Sequence, residues 1–295
     1  MKTTLLFFIL LFISLNLGSS LDKYTTIFEN IAMDKSYDKS WPLEEMLEET
    51  SGLAFSLKRP KLVYQINDSG NDPILYRTRL DGSIESSLKL DKVGRHDFES
   101  ISLVKCGDKN CIYIFDTGDN LHLRTTYSIY KLSEDDFEAK LTKNIERIDF
   151  NYPYNSKHDI EATAYNPESR KLLMFTKGSK SKVFELNLEA NLKLKEVTSL
   201  DIYKATGAAY HDGYYYIINL NSIFKISEKD IYDRKQPKAL EKPSTWQSEG
   251  LAISSEDFVI TSESISSYIP AKIIWQPCCE LEEKNTPIQR APYKW

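Results

Sequence analysis

The feature of the sequence that most constrains the fold is a short phrase of residues that occurs five times along the chain. Each copy begins with a hydroxyl or acidic residue and continues into small and apolar residues, as buried β-strands do. The copies are 48, 62, 45 and 43 residues apart and begin at Ser51, Glu99, Glu161, Thr206 and Glu249. A period of about 40 to 60 residues built from short strands is typical of a β-propeller with one phrase per blade. The sequence therefore predicts an all-β fold, a single β-propeller.

Further strand-like runs follow each phrase and predict the rest of each blade. In blade four, for example, the phrase is followed by YYYII over 214–218 and SIFKI over 222–226. Helical periodicity is weak, apart from short turns predicted at 44–47 and 134–140. Five phrases predict five blades, although a sixth blade assembled from both termini would also fit the sequence.

The first 20 residues are typical of a secretory signal peptide. Lys2 precedes an apolar run over 5–13, and Gly18-Ser-Ser supplies the small residues of a cleavage site. The apolar run is short for a membrane span. We therefore expect a signal peptide over 1–20, a lead-in segment over 21–49 and a propeller domain over 50–295. The protein is then secreted, either extracellular or periplasmic, without a membrane span.

The net charge of the chain indicates which classes of binding partner are disfavoured. The formal net charge is −5, and it becomes −6 when Lys2 is removed with the signal peptide. This mild acidity, without a basic stretch, argues against nucleic acid or anionic lipid as the main partner. We expect a monomer that binds a small molecule or a glycan.

The four cysteines fit an oxidising compartment. Cys106 and Cys111 flank a turn-like sequence between two strand-like runs, so we predict a disulfide bond across that hairpin. A zinc site there is disfavoured because no histidine is near and no second pair has the required spacing. Cys278 and Cys279 are adjacent, and the sequence leaves their state open.

A second repeated signal is the polar segment that follows the second strand of each blade. These segments are Asn67-Asp-Ser-Gly-Asn, Asp116-Thr-Gly-Asp-Asn, Thr176-Lys-Gly-Ser, Asn219-Leu-Asn and Thr261-Ser-Glu-Ser. Equivalent blades would place all five at one end of the ring, which we call the mouth. Such residues are also ordinary in β-turns, but the first two segments are more alike than turns require. We interpret the mouth as ligand-facing, with these candidate catalytic residues: Asp68, Asp116, Asp119, Lys177 and Arg124.

The five lead residues would meet around the propeller axis. Three glutamates in a narrow channel repel one another, so they require protons, water or a cation. Calcium accepts six to eight oxygen ligands and suits a ring of carboxylates and hydroxyls. A hydrated channel without metal is the alternative. We predict a Ca²⁺ site formed by Ser51, Glu99, Glu161, Thr206 and Glu249.

The order of the motifs adds a resemblance. The succession is Ser51-Gly-Leu, Asn67-Asp-Ser-Gly-Asn, Asp97-Phe-Glu-Ser, Asp116-Thr-Gly-Asp-Asn, Asp159-Ile-Glu-Ala, Thr206-Gly-Ala and Gln247-Ser-Glu-Gly-Leu-Ala. It resembles a family of secreted bacterial β-propellers, which have similar phrases in the same order. Phe98 stands where that family has tryptophan, and Ser100 where it has an acidic residue. The resemblance implies the fold more than an activity.

The order of the lead residues, Ser, Glu, Glu, Thr, Glu, is also similar to the central ring of the calcium-activated nucleotidases, or soluble apyrases. That ring reads Ser, Glu, Glu, Ser, Glu in a five-bladed propeller. The resemblance implies that the five lead residues ligate calcium, with Thr206 keeping the hydroxyl.

Three functions follow as hypotheses. The first is a calcium-dependent hydrolase of phosphate esters or nucleotides, with Asp68, Asp116 or Asp119 as base and Lys177 and Arg124 neutralising charge. The second is a non-enzymatic module that binds a glycan or protein and contains a structural calcium. The third is a propeller of the lactonase or esterase type. The sequence has no Gly-x-Ser-x-Gly elbow, so it does not support a serine hydrolase.

Overall fold

The structure is a computed structural model that describes residues 39–188, 193–243, 245, 247–266 and 268–278. Its strands form five sheets of four antiparallel strands each. The predicted signal peptide, most of the lead-in segment and Cys279 lie outside the described residues.

The strands, in chain order, assign one sheet to each blade. Blade one contains β2 (Thr50–Phe55), β3 (Leu62–Asn67), β4 (Ile74–Arg79) and β5 (Ile84–Lys89). Blade two contains β6 (Phe98–Cys106), β7 (Lys109–Asp116), β8 (Tyr127–Ser133) and β9 (Glu146–Phe150). Blade three contains β10 (Ile160–Asn166), β11 (Lys171–Thr176), β12 (Ser181–Asn187) and β13 (Lys193–Leu200). Blade four contains β14 (Gly207–His211), β15 (Tyr214–Ile218), β16 (Ile223–Ser227) and β17 (Lys238–Leu240).

Blade five joins the two ends of the described chain. It contains β1 (Lys39–Pro42), β18 (Ser248–Ile253), β19 (Asp257–Ser262) and β20 (Lys272–Pro277) in the order β1-β20-β19-β18. β1 comes from the segment predicted as a lead-in, and it pairs antiparallel with β20. The backbone hydrogen bonds of this sheet therefore close the ring.

The inner strands surround one axis. β2, β6, β10, β14 and β18 each contact the inner strands of the two neighbouring blades. The fold is thus a five-bladed β-propeller, which confirms the predicted fold class and blade number. A sixth blade is not found among the described residues.

Apolar packing between blades holds the propeller together. Five clusters of buried hydrophobic residues occur, one at each interface between neighbouring blades. Between blades four and five, for example, Ile218 and Phe258 are almost fully buried. Each such side chain contributes about 1.5–3 kcal/mol of burial free energy.

The repeated glycine of the phrase has a packing reason. A Cβ at Gly52 would lie 2.6 Å from the backbone nitrogen of Ile101, and one at Gly207 would lie 2.7 Å from the carbonyl oxygen of Glu249. At these two positions the inner strands approach so closely that a side chain would collide with the next backbone. Glycine after the lead position is therefore required in blades one and four, whereas blades two and three have room for the small residues Ser100 and Ala162.

The described helices are short and lie outside the channel. They are α1 (Glu134–Glu138), α2 (Glu228–Tyr232) and three 3-10 turns at Glu45–Leu47, Thr142–Asn144 and Pro153–Asn155. Among the described residues, no helix has the length and apolar character needed to cross a bilayer.

The predicted disulfide bond is confirmed. Cys106 and Cys111 are bonded across the β6–β7 hairpin, with their Cα atoms 6.0 Å apart. Cys278 is also in a disulfide bond.

Candidate metal centre

β-Bulges direct three of the repeated glutamates into the channel. In blade two, Phe98 pairs with Asp116 and Ser100 pairs with Phe115, so Glu99 is an extra residue between them. The same register shift occurs around Glu161 and around Glu249. A bulge re-aims the side chain of the extra residue. These three side chains are consequently buried at the mouth end of the inner strands, with exposures of 3%, 2% and 8% in the order Glu99, Glu161, Glu249.

The two hydroxyl residues of the predicted ring are also buried. Ser51 Oγ donates to the carbonyl oxygen of Glu99 at 2.9 Å and lies 3.3 Å from Glu99 Oε2. Thr206 Oγ1 donates to the carbonyl oxygen of Ser248. Each hydroxyl thus ties its blade to the inner strand of the next one.

Two groups of carboxylates meet at Glu99. In the first group, Asp68, Asp97 and Glu99 each place an oxygen atom within 4.8 Å of the others. In the second group, Glu99, Asp159 and Glu161 do the same. The mouth end of the channel is therefore a buried acidic cluster that could bind a metal ion.

Burial and mutual repulsion raise the pKa values of these acids. Burial, together with the charge of Glu161, raises the pKa of Glu99 well above its ordinary value. Burial raises the pKa of Glu161 to about 8, although the nearby Lys177 opposes the shift. Burial and the neighbouring Asp97 raise the pKa of Asp68 to about 7. The charged forms are disfavoured because nothing in the described protein neutralises them fully.

Two more glutamates extend the cluster towards blade five. Burial, and then repulsion by Glu161, raises the pKa of Glu249 well above its ordinary value. Burial raises the pKa of Glu263 to about 7, against the charge of Lys177. Glu263 accepts a hydrogen bond from Gln247 Nε2 at 3.1 Å.

Lys177 forms an ion pair with the cluster. Its Nζ atom lies 2.9 Å from each carboxylate oxygen of Glu161. Burial alone would lower the pKa of Lys177, but the charges of Glu161 and Glu249 raise it above the ordinary value. The ammonium group therefore stays charged.

The two oxygens of Glu161 differ in their hydrogen bonding. Oε2 accepts a hydrogen bond from Lys177, whereas the buried Oε1 lies 2.9 Å from the same Nζ atom without a hydrogen bond of good geometry among the described residues. The donor atoms that the two carboxylate groups offer are oxygens alone, and such a set fits a hard cation.

Gly118 lets the mouth loop of blade two lie directly on the first carboxylate group. A Cβ at this position would overlap the carboxylates of both Glu99 and Asp97. The backbone nitrogen of Gly118 donates to the carbonyl oxygen of Asp97 at 3.2 Å. Glycine is needed here because of this close approach and not because of its backbone angles.

Three of the predicted catalytic residues lie in or next to this loop and interact within it. Arg124 Nη1 donates to Asp116 Oδ1 at 2.7 Å and to the carbonyl oxygen of Gly118 at 3.1 Å. Asp119 accepts from the backbone nitrogen of Leu123 and from the hydroxyl of Tyr127, each at 2.7 Å. Asp116, Asp119 and Arg124 thus hold the loop in shape beside the cluster. The structure places Asp68 and Lys177, by contrast, against the cluster itself.

Three members of the cluster are absent from the predicted site. Asp97 and Asp159 each stand two residues before a lead glutamate, in Asp97-Phe-Glu and Asp159-Ile-Glu, and this shared spacing could have indicated them. Glu263 is in the polar segment of blade five, where its sequence signal is that of an ordinary turn residue.

Comparisons with known proteins support the fold. No protein-family profile matches the chain, and no curated protein matches its sequence. Glutaminyl cyclase of Myxococcus xanthus is similar in structure, with a TM-score of 0.53, 11% identity, and coverage of 85% of this chain and 97% of the cyclase. At this identity the likeness concerns the fold alone.

Two further bacterial enzymes are similar at lower scores. The gluconolactonase XC5397 of Xanthomonas campestris has a TM-score of 0.48 and 10% identity, covering 83% of this chain and 99% of that one. A catalytically inactive virginiamycin B lyase of Staphylococcus aureus has a TM-score of 0.45 and 11% identity, covering 82% and 100%. The resemblances to secreted bacterial propellers and to apyrases therefore stay predictions.

Proposed function

We propose that the acidic cluster binds a calcium ion and that the protein is a secreted, calcium-dependent hydrolase of phosphate esters or nucleotides. The observation that carries this proposal is the pair of carboxylate groups that share the buried Glu99 and offer oxygen atoms within 4.8 Å of one another.

The charge balance supports a cation. Lys177 offers one positive charge to a cluster whose carboxyl groups are Asp68, Asp97, Glu99, Asp159, Glu161, Glu249 and Glu263. Buried carboxylates that are not paired must either take up protons or bind a cation. Neither described carboxylate group includes a histidine or cysteine, so zinc is disfavoured and calcium, which prefers oxygen, is favoured.

The cluster also divides into two halves. Lys177 partly neutralises the half that contains Glu161 and Glu249. The half that contains Asp68, Asp97 and Glu99 has no such ion pair among the described residues, and we assign the ion to it with Glu161 completing the site. Ser51 and Thr206 then serve to hold the neighbouring backbones in place.

When bound, calcium would polarise a phosphate oxygen and acidify a water molecule. Asp68 is partly exposed at the mouth, so as a carboxylate it is placed to accept a proton from water that attacks the substrate. Lys177 is placed to offset negative charge that develops on the phosphate. Asp116, Asp119 and Arg124 position the loop that lies on Asp97 and Glu99.

One observation favours the binding module as a second candidate. Arg124 and Lys177 both form ion pairs with carboxylates at the mouth. Neither cation is therefore fully available to an anionic substrate. The calcium would then be structural, and the mouth would bind a glycan or a protein.

Export is part of the same proposal. The Cys106–Cys111 disulfide bond suits an oxidising compartment such as the periplasm or the extracellular space. We expect the exported protein to be a monomer.

The test combines metal analysis with turnover. Purified protein is analysed for bound metals, and phosphate release is measured on a panel of nucleotides and phosphomonoesters with and without EGTA. A lactone is included to detect esterase activity. We expect about one calcium per chain, release that EGTA abolishes, and loss of both in Glu99→Gln.

Glu134→Gln is the matched control, because Glu134 is equally buried but accepts its hydrogen bonds from Ser56 and Asn110, away from the cluster. It should keep metal and turnover. Bound calcium without turnover would favour the binding module. Protein that binds no calcium would contradict the metal site, and with it the proposed function.

A further inference from the structure

The channel contains a second cavity at the end opposite the mouth, which we call the rear cavity. Its volume is about 260 Å³, and all five inner strands contribute to its lining. The lining residues begin two positions after the lead residues, so none of them belongs to the acidic cluster. Ligand sites are typically concave and mostly apolar, with a few polar groups.

A closed ring of large side chains surrounds the rear cavity. Each is the fourth residue after a lead position, and each packs against the hydrophobic cluster of a different blade interface. All five are partly buried. Because neighbouring inner strands contact one another, these side chains enclose one continuous apolar space. The ring consists of Phe55, Leu103, Tyr165, Tyr210 and Ile253.

The last residue of the repeated phrase leaves room for this cavity. It is alanine in four blades and serine in the other, and in every blade it lines the cavity. A larger side chain at this position would take up part of the space. The five residues are Ala54, Ser102, Ala164, Ala209 and Ala252.

The rear cavity also has a buried hydroxyl proton without an acceptor. Thr163 Oγ1 lies 2.9 Å from Ser100 Oγ and 2.8 Å from Ser102 Oγ. These two hydrogen bonds use two of the three hydroxyl protons, and the third has no acceptor of good geometry among the described residues. When Ser100 donates to Thr163 and Thr163 donates to Ser102, the remaining proton is on Ser102. The side chain of Ser102 lines the cavity and is only 5% exposed.

The charge of the lining disfavours an ionic ligand. Among the described residues, no carboxylate lines the rear cavity, and Lys105 is the one charged residue that does. Lys105 is exposed and donates to the amide oxygen of Asn110 at 2.5 Å. A charged group placed deeper in the cavity would lose its water without gaining an ion-pair partner. An uncharged ligand is therefore favoured.

We propose that the rear cavity binds an uncharged molecule made of one aromatic ring with a carbonyl substituent. An apolar cavity of about 150 Å³ holds benzene, so the rear cavity accommodates a benzene ring with a short substituent. The rings of Phe55, Tyr165 and Tyr210 offer edge-to-face or offset contacts to such a ring. A carbonyl oxygen accepts a hydrogen bond but donates none, so it matches the single free proton of Ser102.

The test compares two probes of similar shape, acetophenone and ethylbenzene, of which only acetophenone has a carbonyl oxygen. Dissociation constants are measured on the purified protein by ligand-observed NMR titration, with EGTA present so that calcium plays no part. Ser102→Ala removes the proposed donor. Ser128→Ala is the matched control, because Ser128 is also buried in blade two but donates to Asp149 at 2.8 Å and does not line the cavity. Ala209→Leu fills part of the cavity, and circular dichroism verifies that each variant is folded.

We expect the parent to bind acetophenone about fivefold more tightly than ethylbenzene, as one net hydrogen bond provides. This ratio should fall to about one in Ser102→Ala and stay unchanged in Ser128→Ala. Ala209→Leu should weaken the binding of both probes at least tenfold.

Equal affinities of the parent for the two probes, or a ratio that persists in Ser102→Ala, would overturn the proposal. Unchanged binding by folded Ala209→Leu would do so as well. A parent that binds neither probe also overturns it, whether the protein sediments as a monomer or as a dimer that covers this end. Because neither calcium nor turnover enters the measurement, its result is independent of the proposed hydrolase function.

Discussion

The raised pKa values of the acidic cluster predict how stability depends on pH when calcium is removed. The pKa of Glu161 is raised by burial from 4.5 to about 8, so the folded protein retains a proton that the unfolded chain has lost. Such a group contributes stability that is fully present below about pH 4.5 and is lost as the pH rises through about 8. Metal-free protein should therefore become less stable from pH 5 upwards.

The size of the effect follows from proton linkage. One retained proton changes the free energy of unfolding by about 1.4 kcal/mol per pH unit. Between about pH 6.5 and 8, Glu161 alone therefore accounts for a loss of about 2 kcal/mol. Asp68 and Glu263, each with a pKa near 7, act in the same direction in the lower part of this window. The pKa of His158 is lowered by burial, and this opposite effect ends at about its ordinary value of 6.5.

The assay is urea unfolding followed by intrinsic fluorescence, at several pH values from 6.5 to 8, in EGTA and in calcium. In EGTA the free energy of unfolding should fall by at least 2 kcal/mol across the window. In calcium the fall should be smaller, because the ion binds only the ionised carboxylates and stabilises the folded state as they form. The gap between the two curves should widen as the pH rises.

Glu161→Gln is the control for the assignment. It removes one titrating group, so its slope in EGTA should be shallower by about 1.4 kcal/mol per pH unit near pH 6.5, and by about half of that near pH 8, where the group is half ionised. Its absolute stability also changes, because Lys177 loses its ion-pair partner. The slope is therefore the quantity to compare. A parent protein whose stability in EGTA is constant or rises between pH 6.5 and 8 would refute the reasoning.

Three further predictions concern single positions. Gly118→Ala places a methyl group where the carboxylate of Glu99 lies, so it should destabilise the protein by about 1–3 kcal/mol. It should also weaken calcium binding, as measured by calorimetric titration. An unchanged affinity for calcium would contradict the close approach of Gly118 to Glu99. Cys111→Ser removes a disulfide bond that closes only a short loop. The free energy of unfolding, measured by chemical denaturation, should therefore fall by about 2 kcal/mol, and reductant should eliminate the difference from the parent. Arg77→Met removes the 2.6 Å ion pair of Glu138, which keeps Arg59 at 2.8 Å, so the free energy of unfolding should fall by about 1–3 kcal/mol; an unchanged value would show that methionine packing compensates.

Local sequence patterns were sufficient to predict most strands of the propeller. The strand β15 spans 214–218, as its aromatic and β-branched run predicts. The polar outer strands are harder to predict. β13 and β17 lie at sheet edges and contain lysines in place of a continuous apolar run. Edge strands face solvent, so their sequences carry little of the burial signal on which prediction relies.

The mouth shows the limit of reasoning from residue types. By residue type, Asp116 and Asp119 are as well suited as Asp68 to act as a base. In the structure, however, Asp116 accepts a hydrogen bond from Arg124, and Asp119 accepts one from the Tyr127 hydroxyl. Their sequence segments are nearly alike, and the difference arises from the side chains that the fold brings against each of them.

The sequence by itself determined the repeat, the all-β blades and the positions of the lead residues, because these depend on alternating burial and on close approach of inner strands, whereas the pairing of β1 with β20 decided for five blades over six. Only the tertiary structure decided which acids meet. Glu99 reaches Asp68 in one blade and Glu161 in another because bulges re-aim the lead side chains and closure brings separate blades together. The convergence of charges depends on distances across the axis, which no local pattern of residues encodes.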